Sequence, residues 1–243
     1  MSANTSKPTA KHNESYKDAK AILVAVDNVI FGFDPQEEKL KVLLFKRQVD
    51  PEAGKWSLIG SFVQADESAD IAAQRILTKF TGLDDVFLEH FQTYSEVDRD
   101  PGARVISLGY YSLIRLDEQK EELVESFHAH WFHIDEIPKL VIDHNQIIQD
   151  ALRLLQEDSK RKPIGFNLLP EKFTIPKLLK LYQEIMQEQL DDRNFRKKIL
   201  SVGYLDRLEE KDKSNSKKGA YYYQFNVEKY FELVKEGYTL QLP

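Results

Sequence analysis

The sequence predicts an α+β protein in two parts, a first unit of strands and helices and then a smaller unit of helix, turn, helix and hairpin. Three observations predict it. Strand-like runs flank one amphipathic helix within residues 21–115. The composition shifts at Ser159-Lys160-Arg161-Lys162-Pro163. Residues 163–243 then hold two helical patterns and two alternating runs around a Lys-rich tip.

A chain of 243 residues exceeds one typical domain. The expected division is a disordered polar tail at 1–20, a first domain at 21–160 and a second at 161–243. The net charge of −6 is uneven: residues 1–162 carry 20 Lys and Arg against 28 Asp and Glu, whereas residues 163–243 carry 14 against 12. The two parts are therefore expected to meet different partners. No Cys is present, which excludes disulfides and zinc-finger ligands and suits a reducing cytoplasm. With no signal-peptide pattern and no run of 18 apolar residues, a cytoplasmic protein without membrane contact is expected.

In the first domain, AILVAVDNVIFGF (21–33) is a strand of the buried kind, and LKVLLF (40–45) is its partner across the Asp34-Pro35-Gln36-Glu37 turn. Lys46 and Arg47 close the second strand, either as surface charge or as part of a cleft. Trp56-Ser57-Leu58-Ile59 is strand-like. Glu67-Ser68 opens a helix with Ala69, Ala72, Ala73, Ile76, Leu77 and Phe80 on one face, and Gly82 suits the left-handed position that ends it. Runs at 86–97 and 104–115 alternate like antiparallel strands. His128 to His133 reads as a further packed strand, because no Cys or well-spaced acid accompanies its histidines to make a metal site. From Asp143, an N-cap by residue type, a helix runs to about Lys160 with Ile147, Ile148, Ala151, Leu154 and Leu155 as its core face.

Residues 60–83 carry the chemical signal. Their ordered Gly, Glu, Arg and Gly-Leu frame resembles the Nudix box, G-x5-E-x7-R-E-U-x-E-E-x-G-U, in which U is a bulky aliphatic residue. Glu67, Arg75, Leu77 and Gly82-Leu83 fall in register, while Ser61, preceded by Gly60, stands at the first Gly. An ordinary amphipathic helix explains the periodicity but not this order. Where the pattern has further Glu residues, the chain has Ile76, Lys79 and Phe80. A catalytic Mg²⁺ needs near-octahedral oxygen ligation, which a helix supplies with carboxylates at i, i+3 and i+4. Two hydrophobes and a cation supply none. We therefore expect no metal, no cofactor, no catalytic residue and no metal-dependent pyrophosphate hydrolysis. The resemblance implies a Nudix α/β/α sandwich with a mixed sheet, its cleft free to bind a ligand.

The segment Asp98-Arg99-Asp100-Pro101-Gly102-Ala103-Arg104 is either a Pro-Gly turn with solvated charges or part of a pocket. The second reading follows from its resemblance to the D-R-D-P-x-x-R segment of ADP-ribose-type Nudix proteins, in which Arg99 and Arg104 could fork onto phosphate or sugar hydroxyls. The resemblance and loop position together imply Lys46, Arg47, Trp56, Glu67, Asp98, Arg99, Arg104 and His144 as ligand-binding residues.

In the second domain, Thr174 is an N-cap with Pro176 in the first turn, and Leu178, Leu179, Tyr182, Ile185 and Met186 form a buried stripe. A second helix starts from the Asp191 cap, with Phe195, Ile199, Leu200 and Val202 inward and Arg193, Asn194, Arg196, Lys197 and Lys198 outward. A hairpin follows, with strands at 204–208 and 221–225 and a mobile tip EEKDKSNSKKG. This order is that of a winged helix-turn-helix domain.

GFNLLPEKFTIPKLLKLYQEI and LDDRNFRKKIL, behind a degenerate Nudix box, resemble the Nudix-related transcriptional regulators of the NrtR and AraR type. That resemblance implies a homodimeric bacterial repressor of double-stranded operator DNA, released by a small-molecule effector. The wording of the box and of DRDPGARV favours the sugar-responsive branch, with L-arabinose as effector; the rival is ADP-ribose. Arg193, Asn194, Arg196 and Lys197 are expected to enter the major groove. Lys198, Lys211, Lys213, Lys217 and Lys218 would meet phosphates. Two other classes stay open: a hydrolase using glutamates outside the box, such as Glu89 and Glu96, and a ligand-dependent adaptor whose second domain binds protein.

Overall fold

The computed structural model describes residues 18–50, 52–83, 86–116, 127–214 and 217–237. Most of the expected tail, residues 1–17, lies outside these, as do residues 215–216 of the hairpin tip. Seven strands form the first sheet: β1 (Leu23–Asp34), β2 (Lys39–Lys46), β3 (Trp56–Ser57), β4 (Ile59–Phe62), β5 (Phe87–Tyr94), β6 (Val105–Arg115) and β7 (Ala129–His133). Their order is β3-β2-β1-β6-β5, with β4 against β1 and β7 against β2. β1 and β6 run parallel and the other pairs antiparallel, so the sheet is mixed.

β1 is apolar on both faces because both are covered. Val26 and Ile30 pack towards α1 (Ala69–Thr81), and Val29, Phe31 and Phe33 towards the side that carries α2 (His144–Arg161). α1 begins at Ser68, whose side chain accepts a hydrogen bond from the Ile71 N–H. It ends at Gly82, where φ is 67° and the N–H donates to the Thr78 carbonyl. Ala72, Ala73, Ile76, Leu77 and Phe80 are buried, as the spacing predicts.

The strand expected at 56–59 is broken. The Leu58 N–H donates to Nδ1 of His144 at 3.0 Å instead of entering a ladder, so β3 pairs with β2 and β4 with β1. Asp143 occupies the N-cap position of α2, but its side chain caps nothing, because its carboxylate is taken by Arg99.

The second part contains β8 (Lys172–Thr174), α3 (Ile175–Met186), α4 (Asp192–Ser201), β9 (Leu205–Asp212), β10 (Ala220–Phe225) and α5 (Val227–Lys235). The strands form a sheet in the order β8-β10-β9. Thr174 and Asp191 cap their helices as expected, accepting from the N–H groups of Lys177 and Asn194. Leu200, expected inward, is 39% exposed, whereas Phe195, Ile199 and Val202 are buried. The hairpin tip is shorter than expected, because β9 continues to Asp212, opposite Ala220. α5 was not anticipated, although Asn226 caps it and its apolar spacing is helical. Leu178, Leu181, Tyr182 and Ile185 of α3 share one apolar cluster with Val42, Leu44 and Ile147, so the core continues across residues 160–161.

Candidate functional site

The Nudix-box helix begins with an ion pair. Glu67 receives Nε of Arg75 at 2.9 Å and Nη2 at 2.5 Å, and its Oε1 also accepts the Gln64 N–H. The hydrogen bond from Arg75 is the main reason the Glu67 carboxyl lies below its ordinary pKa. Of the positions where the pattern has further Glu residues, 76 and 80 belong to the core and Lys79 is exposed. Ile76 is 1% exposed, and the Phe80 ring lies 5.7 Å from Phe45 and 5.0 Å from Phe127. Lys79 places its ammonium 5.5 Å from the Phe80 ring centre. Ile76, Lys79 and Phe80 offer no side-chain oxygen to a divalent cation. Gly60 meets a separate need, since a Cβ there would strike the Asp27 carboxylate and the Val26 carbonyl.

On the opposite face of β1 is a buried polar cluster that local spacing did not reveal. Asp27, 6% exposed, accepts the Ser107 hydroxyl and lies 3.5 Å from Nη2 of Arg99. The Arg99 guanidinium, only 4% exposed, forks onto Asp143, with Nε 2.9 Å from Oδ2 and Nη2 2.7 Å from Oδ1. His144 lies with Nε2 3.7 Å from Asp27. Its Nδ1 accepts from Leu58, so Nε2 carries the proton of the neutral ring. Burial pushes the imidazole pKa down, against the pull of Asp27 and Asp143; the charges of Arg99 and then Arg47 add to the lowering.

Of the expected pocket residues, the structure thus brings Arg99 and His144 together around Asp27 and turns both inward. Arg104 donates from Nη1 to the Glu96 and Val105 carbonyls, and Asp98 is exposed. Glu67 lies at the start of α1. Lys46 sits 5.6 Å from the ring of Trp56, its neighbour across β2 and β3, and that ring also packs edge-on against His130 and Phe132. Asp27 was missed, although a lone acid inside an apolar strand is itself a signal, because a buried charge requires a partner.

In the second part, α4 turns Phe195 and Ile199 onto the core and leaves Arg193, Asn194, Arg196, Lys197 and Lys198 exposed. On the hairpin, Arg207 of β9 and Lys211 both lie over the Tyr221 ring, at 4.6 and 4.2 Å from its centre. Lys217 and Lys218 are exposed at the tip. Arg207 was also missed, because its position depends on the cross-strand register with β10. Two cations thus share one aromatic ring on the hairpin, and Arg207 also lies 3.8 Å from the Glu209 carboxylate.

The NUDIX domain family matches residues 23–151. The chain belongs to the Nudix family. The NrtR DNA-binding winged helix domain matches residues 165–225, so the Nudix domain is of the NrtR type, with a winged helix behind it. Over 217 residues the Nudix chain is 27% identical to the ADPR responsive transcriptional repressor NtrR of Acinetobacter baylyi, an alignment covering 88% of this chain and 86% of the relative. It is 35% identical over 136 residues to the ADP-ribose pyrophosphatase of Methanocaldococcus jannaschii, covering 54% and 73%. The fold resembles that of Shewanella oneidensis NrtR in a complex with a 27mer DNA, with a TM-score of 0.76 at 23% identity over 90% of this chain and 99% of that one.

Proposed function

We propose that this Nudix protein is a transcriptional repressor that binds operator DNA through its winged helix and is released when ADP-ribose occupies the Nudix domain. The observation that carries the reading is the match to the Acinetobacter repressor, which spans both parts of the chain and is ADPR-responsive. It favours ADP-ribose over the L-arabinose suggested by the wording of the sequence. We take residues 21–160 as the ligand-binding domain, residues 161–243 as the DNA-binding domain, a homodimer as the operator-bound form and the cytoplasm as its place. Among the described residues no helix is long and apolar enough to cross a membrane.

The domain binds ADP-ribose without hydrolysing it, because positions 76, 79 and 80 are occupied by packing groups and a cation. In the operator complex, Arg193, Asn194, Arg196 and Lys197 read base edges, while Lys198, Lys211, Lys213, Lys217 and Lys218 meet phosphates. Similarity to the archaeal pyrophosphatase favours a second reading, an active hydrolase. Fluorescence anisotropy with operator duplex, titrated with salt, ADP-ribose and L-arabinose, tests the first reading. Salt-steep binding relaxed by ADP-ribose alone supports it; relaxation by L-arabinose restores the sugar branch. Mg²⁺-dependent release of AMP from ADP-ribose establishes the hydrolase.

A further inference from the structure

Arg99 comes from the loop between β5 and β6, at the rim of the Nudix sheet, yet its guanidinium points inward and bridges two elements. One is Asp27 in the middle of β1; the other is Asp143, immediately before α2. The side chain contributes one positive charge to two carboxylates, and His144 beside them is held neutral by its acceptor role at Nδ1. The α2 N-terminus therefore depends on this loop for its charge balance. The backbone there is also strained: Ile142 has φ 53°, a region that β-branched residues avoid.

Further along, α2 is joined to the DNA-binding part. Nε2 of Gln156 donates to the Ile185 carbonyl of α3 at 2.9 Å. The neighbouring residue, Glu184, receives Nζ of Lys39 at 3.2 Å and the Leu40 N–H at 3.3 Å. α3 in turn supports α4, with the Tyr182 and Phe195 rings 5.3 Å apart. One helix thus reaches from the Arg99 loop to the support of the exposed basic helix.

We propose that Arg99 is a positioning residue that couples occupancy of the Nudix domain to DNA affinity, by fixing the start of α2, which carries the displacement to α3 and α4. The proposal rests on the ADP-ribose reading above. Its physical content is that a buried, bidentate guanidinium has few alternative settings, so a ligand that moves the loop moves the carboxylate before α2 with it. Arg99 acts through α2 rather than by touching the ligand.

The test uses the full chain and an operator duplex selected by that chain from random-sequence DNA. DNA affinity is measured by anisotropy with and without saturating ADP-ribose, ADP-ribose affinity by calorimetry, and folding by thermal melting. The wild type is expected to lose DNA affinity by about 10-fold or more when ADP-ribose binds, within the usual range of allosteric coupling. Asp143→Asn at one end of α2 and Gln156→Leu at the other are each expected to reduce that ratio to about 2-fold or less, leaving each separate affinity within about 3-fold of wild type. Arg99→Lys, which keeps the charge but not the fork, is expected to lower the ratio to about 2-fold or less as well. Retention of the full ratio in the folded Asp143→Asn and Gln156→Leu proteins overturns the proposal. Loss of ADP-ribose binding in Asp143→Asn also overturns it, because the cluster is then a ligand contact. A wild-type protein that selects no duplex, or whose DNA affinity ignores ADP-ribose, overturns the functional reading and this inference with it.

Discussion

Arg75 closes onto Glu67 across eight residues, with Nε 2.9 Å from one carboxylate oxygen and Nη2 reaching the other. The carboxylate fastens the loop to the helix, while positions 76, 79 and 80, from which a helix would offer oxygens to a metal, hold Ile, Lys and Phe. We expect wild type and Glu67→Gln alike to release no AMP from ADP-ribose with Mg²⁺ above a protein-free blank, as read by chromatography. Glu67→Gln should lower the melting temperature slightly through the loosened loop.

Phe80 packs between Phe45 and Phe127 and is 8% exposed. Phe80→Ala should therefore cost about 3 kcal/mol in urea unfolding, the ordinary scale for truncating a buried Phe. Replacing Ile76 and Phe80 by Glu should cost more, because unpaired carboxylates would enter the same core. Such a variant is expected to lose its cooperative melt rather than gain hydrolase activity.

His144 gives stability a pH dependence. Burial is the main cause of its lowered pKa, so the folded state binds less of the proton that the unfolded chain takes up near its ordinary value of 6.5. Stability is complete above that value and falls as pH drops below it, by at most about 1.4 kcal/mol per pH unit for this one proton. Urea unfolding at pH 7.5 and 5.5 should show the decline, and His144→Gln should flatten it in this window.

The basic surface divides by role. Arg196→Ala on α4 should weaken operator binding and relax base preference at its site by about 1–3 kcal/mol of discrimination. Arg207→Ala, which removes one of the two cations over Tyr221, should weaken operator and random duplex equally and make the salt slope shallower by about 0.9 per phosphate lost. Anisotropy with both duplexes across a salt series distinguishes the two.

The cap of α3 is a local contribution that the second part needs. Thr174→Ala removes the acceptor for the Lys177 N–H and should cost about 1 kcal/mol in thermal or urea unfolding, with DNA affinity falling only in proportion to the folded fraction.

What the sequence by itself determined was mostly what short-range physics controls. The helical face from Ala72 to Phe80, the caps at Ser68, Thr174 and Asp191 and the left-handed Gly82 depend on neighbours within a few residues. So does the exposure of Arg193, Arg196 and Lys197, which follows once Phe195 and Ile199 turn inward. Only the tertiary structure decided the outcomes in which distant groups compete for one residue. Asp143 suits a cap by type, but Arg99, 44 residues away, offers two charge-assisted hydrogen bonds in place of one backbone bond. Leu58 reads as mid-strand, but His144, 86 residues away, takes its N–H and breaks the strand. Arg207 looks like an ordinary surface cation until the hairpin sets it over the Tyr221 ring. Local sequence fixes what each residue is able to do, whereas long-range geometry selects which of its possible partners it meets.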